Sequence, residues 1–341
     1  MQQRFVLLWI FSACFLLSIH AQPQALPLFS SEDLLQITLE TDLKAFLSDR
    51  GGDPDYHDAK LSVTDATGQI QQGEVEIKAR GKFRRDEMIC HFPPIRVKFS
   101  KKKKTPEVFQ GQSKLKLVTH CDDEQYVLRE YYIYKVYNLL TEKSFRVRLA
   151  KIKYVDVNGE MPSEEAFGFF IEDEEDMAAR NGENAIEDDV PIASEDVDEA
   201  QTTLVHVFNY MIANKDFRIP SPPQNMKIIT HGNTKPVPVP YDFDWAGMVD
   251  AAYTKLAYEK GPSYEKRQVF KPLCRTKEEY EVVFNQLRAI RSDVENLYKS
   301  SPYLDPKIIK ESLKYYKSFY KTIDNDKMVD EIFVQSCEKV K

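Results

Sequence analysis

The sequence predicts an α+β protein, β-rich in its first half and mostly helical in its second. Three observations predict it. Short alternating segments rich in Val, Ile and Phe run up to about position 172, interrupted by one helical stretch. From Glu199 onward, apolar residues recur at helical spacing. Where the second half begins, acids and amides collect among aromatic residues, between Asn214 and Asp244.

The strand candidates come first. Leu35–Leu39 alternates, as do Lys60–Thr64, Val75–Arg80 and Ile95–Phe99. The lysine run at 101–104 fits a hairpin tip with Gly111 near the return, and Leu115–Val118 follows. A solvated loop explains those lysines better than an anionic partner does. Thr41–Leu47 reads as a short helix. The helix of the first half is capped by Asp122 or Asp123 and carries Leu128, Tyr132, Val136 and Leu139 on one face. Leu149–Val155 and Ala166–Ile171 are further strands. Positions 172–199 are strongly acidic and read as a short helix with an exposed loop; no Asp-x-Asp-x-Asp-Gly calcium loop occurs there.

In the second half, Leu204, Val207, Phe208 and Met211 form an apolar face leading into Asn214. A helix opening on the capping box Thr276-x-x-Glu279 carries Val283, Leu287, Ile290, Val294 and Leu297. Another opens on Asp305-Pro306 and carries Ile309, Leu313, Tyr316 and Tyr320. No internal repeat is evident. The organisation read from these signals is a signal peptide at 1–21, a loose leader at 22–34, a β-rich unit at 35–172 and a helical unit at 173–341.

The compartment is read from the first residues. Arg4 precedes an apolar run from Phe5 to Leu17, which gives way to Ala21 and polar Gln22-Pro23. The run is too short to span a bilayer and resembles a secretory signal, so an exported protein, periplasmic or secreted, is expected. Phe11-Ser12-Ala13-Cys14 has some lipobox character, but the apolar run continues past Cys14, which disfavours a lipoprotein. No later stretch is long and apolar enough for a transmembrane segment. A net charge of −7 argues against a nucleic-acid partner. Four cysteines follow the signal: Cys90, Cys121, Cys274 and Cys337. None form Cys-x-x-Cys, so a zinc site is disfavoured. If one disulfide forms, it should join Cys90 to Cys121, both near strands of the first half; buried free thiols are the alternative.

Asp242 and Asp244 carry the functional reading. Two residues apart in an extended, Pro-flanked segment, they should share one side of a strand. Two such carboxylates repel unless a cation, a proton or a basic side chain lies between them. A solvated turn is the plain alternative. The flanking Tyr241, Phe243 and Trp245 argue instead for burial, which acids tolerate only with partners.

The layout matches a two-lobed kinase, and the motifs resemble those of the CotH family, atypical kinase-like proteins named for a spore-coat protein. The similar segments are Arg80-Gly81-Lys82 with Arg96-Val97-Lys98-Phe99, Lys114–Leu117 leading into Leu128-Arg129-Glu130-Tyr131, and Phe167-Gly168-Phe169 up to Asp173. The most specific is Asn214-x-Asp216-Phe217…Asn225 with Asp242-Phe243-Asp244. Ala213 and Phe217 depart from the family's usual Gly and Trp.

The resemblance implies a two-lobed atypical protein-kinase-like fold, with a β-rich N-lobe and a mostly helical C-lobe. It implies ATP as substrate, Mg²⁺ or Mn²⁺, and an unknown hydroxyl acceptor, protein or small molecule. By the same comparison Asp216 is the catalytic base, and Asn225, Asp242 and Asp244 hold metal. Lys98 or Lys82 is the phosphate-binding lysine, with Glu130 or Glu172 as its ion-pair partner. The residues themselves are compatible, since hard divalent cations prefer oxygen ligands. Lys98, alternating with Val97 and Phe99, also fits the solvent face of a strand, and Glu130 could simply pair with Arg129 or Lys135. An inactive kinase-like binding or structural module of the cell envelope is the alternative function. A metal-dependent hydrolase ranks below it, and a glycosidase lower still, because that chemistry needs carboxyls on opposite sides of a sugar bond.

Overall fold

The computed structural model describes residues 26–337 except positions 66, 194, 220, 221 and 258–265. The expected signal peptide lies outside the described residues. Among these, no helix is long and apolar enough to cross a membrane.

Seven strands form the first half: β1 (Leu35–Thr41), β2 (His57–Thr64), β3 (Ile70–Ala79), β4 (Ile95–Phe99), β5 (Lys114–Val118), β6 (Val147–Asp156) and β7 (Glu164–Ile171). Alternation drives them: in β1 each inward residue is buried and each intervening one is more exposed. The sheet closes into a barrel in the order β1-β2-β3-β4-β5-β7-β6. Closure is made by the parallel pairing of β1 with β6, from Leu35 opposite Ala150 to Thr41 opposite Asp156. Ile37, Leu61, Ile77, Val97, Leu117, Ile152 and Phe170 fill the interior. Gly168 sits where β7 passes β5: a Cβ there would lie 2.9 Å from the Val118 carbonyl oxygen.

This closure corrects the expected architecture. The chain does not fold as a two-lobed kinase: its first half is a closed mixed barrel, with helices packed around it. Each strand reads the same in an open or a closed sheet, so local alternation could not decide between them. What decides is whether β1 and β6, far apart in the chain, meet edge to edge and remove the free edges.

Helix α2 (Glu124–Asn138) is capped by Asp123, whose carboxylate accepts from Gln125 N at 2.9 Å. It is buried from Val127 through most of its length, including Glu130. One apolar core continues from the outer face of the barrel (Val147, Phe169, Ile171) through α2 to the later helices.

Helix α1 (Leu43–Ser48) belongs to the first half, and the second half is mostly helical. It comprises α3 (Glu174–Arg180), α4 (Glu199–Met211), α5 (Thr254–Ala257), α6 (Lys277–Ala289), α7 (Arg291–Lys299), α8 (Pro306–Ile323) and α9 (Asp326–Val329). A small antiparallel sheet orders as β10-β9-β8, from β8 (Asn184–Ile186), β9 (Met226–Thr230) and β10 (Val237–Pro240). The stripe expected as one helix after Thr276 is two, because α6 ends and α7 begins at Ile290 (φ −92°, ψ 3°). The Tyr320 hydroxyl donates to the Leu287 carbonyl at 2.9 Å, claiming an acceptor that a continuous helix would use.

Two disulfides join Cys90 to Cys121 and Cys274 to Cys337. The first is the pairing expected from sequence. Closing loops of 31 and 63 residues, they contribute about 4 kcal/mol each in the chain-entropy model. Cys90–Cys121 ties the long β3–β4 connection to the start of α2.

Candidate functional site

A cleft of about 810 Å³ opens between the β3–β4 connection, the loop after α4 and the segment after β10. Each wall has a local cause.

Helix α4 ends in a Schellman turn. Ala213 has φ +57°; its N–H donates to Tyr210 O at 3.1 Å, and Asn214 N–H donates to Asn209 O at 2.8 Å. The left-handed conformation explains why glycine suits position 213. Asn214 is buried; its amide donates to Asn209 Oδ1 at 2.8 Å, and its Oδ1 accepts from Asp216 N at 2.9 Å. Asp216 is thereby fixed at the cleft. Asn225, at φ +52°, donates through Nδ2 to Asp216 O at 2.7 Å and to Asp216 Oδ2 at 2.9 Å. Gln224 Nε2 donates to Asp216 Oδ1. Two backbone hydrogen bonds join Arg218 to Gln224.

The other acids are not arranged as the strand reading expects. β10 ends at Pro240, Asp242 is left-handed (φ +60°), and Asp244 lies in the turn beyond. The two carboxylates therefore do not share a strand face. A basic side chain brings them together: Arg84, whose Nη2 lies 3.1 Å from Asp242 Oδ1 and whose Nε lies 3.2 Å from Asp244 Oδ2. Arg84 Nη1 also approaches Glu130 Oε2 at 3.9 Å. Tyr253 donates to Asp244 Oδ2 at 3.0 Å, and Asp242 N–H donates to the Tyr134 hydroxyl at 2.7 Å. Among the described residues, three of the five non-glycine residues with positive φ, Ala213, Asn225 and Asp242, belong to this site or its approach.

The electrostatics follow from burial. Asp244 is pushed up to about 7, chiefly by desolvation, against the pull of Arg84. Burial drives Glu130 well above the usual carboxylate range, and its Oε1 has no hydrogen-bond partner. Asp216 is also raised by burial, with Asn225 pulling the other way. Around Arg84, three carboxylates face one guanidinium at close range. Protons or a further cation must balance them.

Of the expected site residues, Asp216, Asn225, Asp242 and Asp244 meet in the cleft, Lys82 lines it, and Glu130 joins through Arg84. Two do not join them. Lys98 lies on the barrel's outer face, 2.9 Å from Glu76, with its ammonium 4.8 Å from the Tyr56 ring centre. Glu172 pairs with Arg180 at 2.9 Å and accepts from Arg146 N. Sequence reasoning missed Arg84 and Tyr253, and it placed Arg80 only within the segment Arg80-Gly81-Lys82, with no role. The signal for Arg84 was the basic side chain that two neighbouring carboxylates require.

A divalent cation can be tested against this donor set. Among the described residues, no group of three or more His, Cys, Asp or Glu side chains is poised to hold one. The donors nevertheless fit an ion shared with a ligand. Arg84 and Tyr253 engage Asp242 Oδ1 and Asp244 Oδ2, and no donor among the described residues reaches Asp242 Oδ2 or Asp244 Oδ1. Mg²⁺ is typically held by one or two carboxylates with phosphate oxygens completing its shell.

What fold and site define is a barrel with packed helices, bearing a cleft in which carboxylates and cations interleave. No protein-family model matches the chain, and no curated protein is significantly similar to it.

Proposed function

We propose that this cleft transfers a phosphoryl group from ATP to a hydroxyl acceptor, with Asp216 as the base. The observation that carries the reading is the meeting in one cleft of Asp216, Asn225, Asp242 and Asp244 with the cations Arg80, Lys82 and Arg84. Phosphoryl transfer needs little else: a positioned base, and positive charge where phosphate oxygens gain charge. The site and the resemblance to CotH proteins support this function without a kinase fold.

Asp216 is oriented by two side-chain donors to its carboxylate, Gln224 and Asn225, and by its own N–H bond to Asn214 Oδ1, and its raised affinity for protons suits it to accept one from a hydroxyl. Asp242 and Asp244 would hold Mg²⁺ or Mn²⁺, which when bound neutralises the phosphates. Arg84 orients both carboxylates and supplies positive charge beside them. Asn225 holds Asp216 through two hydrogen bonds of its amide.

One observation favours a second reading, a non-catalytic binding module: Arg84 already pairs with one oxygen each of Asp242 and Asp244, so the two carboxylates have a cation between them without a metal. Calorimetric titration with ATP, alone and with Mg²⁺ or Mn²⁺, tests the first. Metal-dependent ATP binding, followed by transfer of labelled phosphate to the protein or a hydroxyl compound, is the expected result. Binding without transfer gives the second reading; no nucleotide binding at all removes the first.

Export is part of this proposal. An apolar leader ending at Ala21 and two disulfides support it. Intact mass of the protein recovered from outside the cytoplasm should place the mature start at or near Gln22. A start at a lipidated Cys14, or an uncleaved chain, overturns it.

A further inference from the structure

We propose that Arg80 and Lys116 form an anion subsite beneath Tyr241, separate from the Arg84 cluster, that anchors a phosphate group of the substrate. The inference rests on the phosphoryl-transfer reading for the identity of that substrate, and on the following geometry for the subsite itself.

Arg80 follows the last residue of β3 and lines the cleft. Its backbone is fixed by an N–H bond to Pro94 O at 2.8 Å. Its guanidinium makes no hydrogen bond or ion pair among the described residues, although five donors are available; Asp242 is the acid that acts on it most. Lys116 stands on β5 opposite Arg96, and its ammonium lies 4.5 Å from the centre of the Tyr241 ring. It too has no ion pair among the described residues.

Other half-buried lysines have a hydrogen-bonded acceptor: Lys78 has Asp53 at 2.6 Å, Lys151 has Glu124 at 2.9 Å, Lys227 has Glu174 and Asp188 at 2.8 and 2.9 Å, and Lys271, without an acid, has the Phe217 carbonyl. The acids acting on Lys116 are already engaged, Glu174 by Lys227 and Asp242 by Arg84. Burial lowers Lys116 to about 8, and Arg80 is the next cause. Burial also lowers Arg80. Two partly desolvated cations, each without a hydrogen-bonded counterion, are costly unless a ligand supplies the negative charge.

Position selects the ligand. Tyr241 joins the subsite to Asp242, the next residue, so an anion held by Arg80 and Lys116 lies beside the carboxylate cluster. A chain of linked phosphates can reach both, with one phosphate between the two cations and the next near Asp242. A phosphate also suits the donors, because a planar guanidinium and a compact ammonium can bind different oxygens of one tetrahedral group.

The test is titration of the whole mature protein with pyrophosphate, ADP, ATP and inorganic phosphate, using Arg80→Gln, Lys116→Met and Lys116→Arg. Both neutral variants should weaken pyrophosphate and nucleotide binding by roughly 10- to 100-fold, and Lys116→Arg should restore most of it. Lys98→Met, on the barrel surface, serves as the control and should bind normally. Melting temperatures identify any variant that fails to fold; Lys116→Met removes a buried charge and should remain folded. Wild-type ATP binding with both neutral variants unaffected overturns the subsite and leaves the phosphoryl-transfer reading standing. Binding of pyrophosphate but not of nucleotides, lost in the variants, supports the subsite and overturns that reading. Binding of inorganic phosphate as tightly as pyrophosphate identifies a single-phosphate site and overturns the polyphosphate anchor. Binding of none of the four overturns both.

Discussion

Asp216→Asn is expected to lower phosphoryl transfer by about 10²- to 10⁴-fold while leaving metal-dependent nucleotide binding nearly intact. An asparagine fills the same space but cannot take the hydroxyl proton. The local hydrogen bonds limit the structural damage. Asn225 Nδ2 donates to one carboxylate oxygen and Gln224 Nε2 to the other. One asparagine oxygen can keep the Asn225 bond; the new amide then faces Gln224, whose side chain can turn over to present its oxygen. Single-turnover transfer and calorimetry on the same preparation separate the two effects. Wild-type transfer rates in the variant would remove Asp216 as the base. Equal loss of binding and transfer would make it a ligand-holding residue instead. Asp242→Asn and Asp244→Asn should show the opposite pattern, because each removes a carboxylate available to the cation.

Arg84→Met is the substitution expected to cost most stability, about 3–5 kcal/mol at neutral pH. The Arg84 side chain is only 9% exposed and is the direct counterion of Asp242 and Asp244, with Glu130 close by. Methionine fills the volume but leaves the buried carboxylates facing one another. The effect should depend on pH. Asp244 and Glu130 hold protons more tightly in the folded protein than in the unfolded chain. Between about pH 4, the ordinary carboxylate range, and about 7, where Asp244 titrates, the folded state binds more protons. Stability therefore falls as pH rises through that window. Arg84 opposes the rise of both carboxyls, so its loss should steepen the fall. Urea unfolding at pH 5 and pH 8 should give a small deficit at the lower pH and the full one at the higher. A deficit independent of pH would mean that Arg84 acts by packing alone. Adding Asp244→Asn should recover part of the loss, because the two residues are in direct contact.

Much of the chain was legible locally. β1 and β4 follow from alternation, α2 from a capping aspartate before an apolar face, and α6 and α8 from their first residues. Asp216, Asn225, Asp242 and Asp244 stood out because polar side chains among aromatic residues must find partners. Their neighbours were less legible. Asp242 and Asp244 meet around Arg84 through a left-handed turn, a conformation that the extended, Pro-flanked reading did not include. Lys98 and Lys116 sit in equally alternating strands, yet one faces Glu76 outside the barrel and the other lies against Tyr241 beside the cleft.

By itself, the sequence marked the strands of the barrel, the starts of α2, α6 and α8, and the acids that must find partners, because each rests on short-range geometry or on the chemistry of neighbouring residues; it gave Cys90–Cys121 only as the pairing to expect if one disulfide forms. Only the tertiary structure decided that β1 closes on β6 and that Arg84 reaches Asp242, 158 residues away in the chain. It also decided that, among the described residues, the Arg80 guanidinium and the Lys116 ammonium have no hydrogen-bonded acceptor, where the buried Arg148 and the half-buried Lys227 and Lys271 have one. The physical reason is the same in each case. A period of two sets which side chains share a strand face, but it does not say which distant strand or charge lies opposite. That choice is made when the whole chain packs, through edges that must be paired and buried charges that must be balanced.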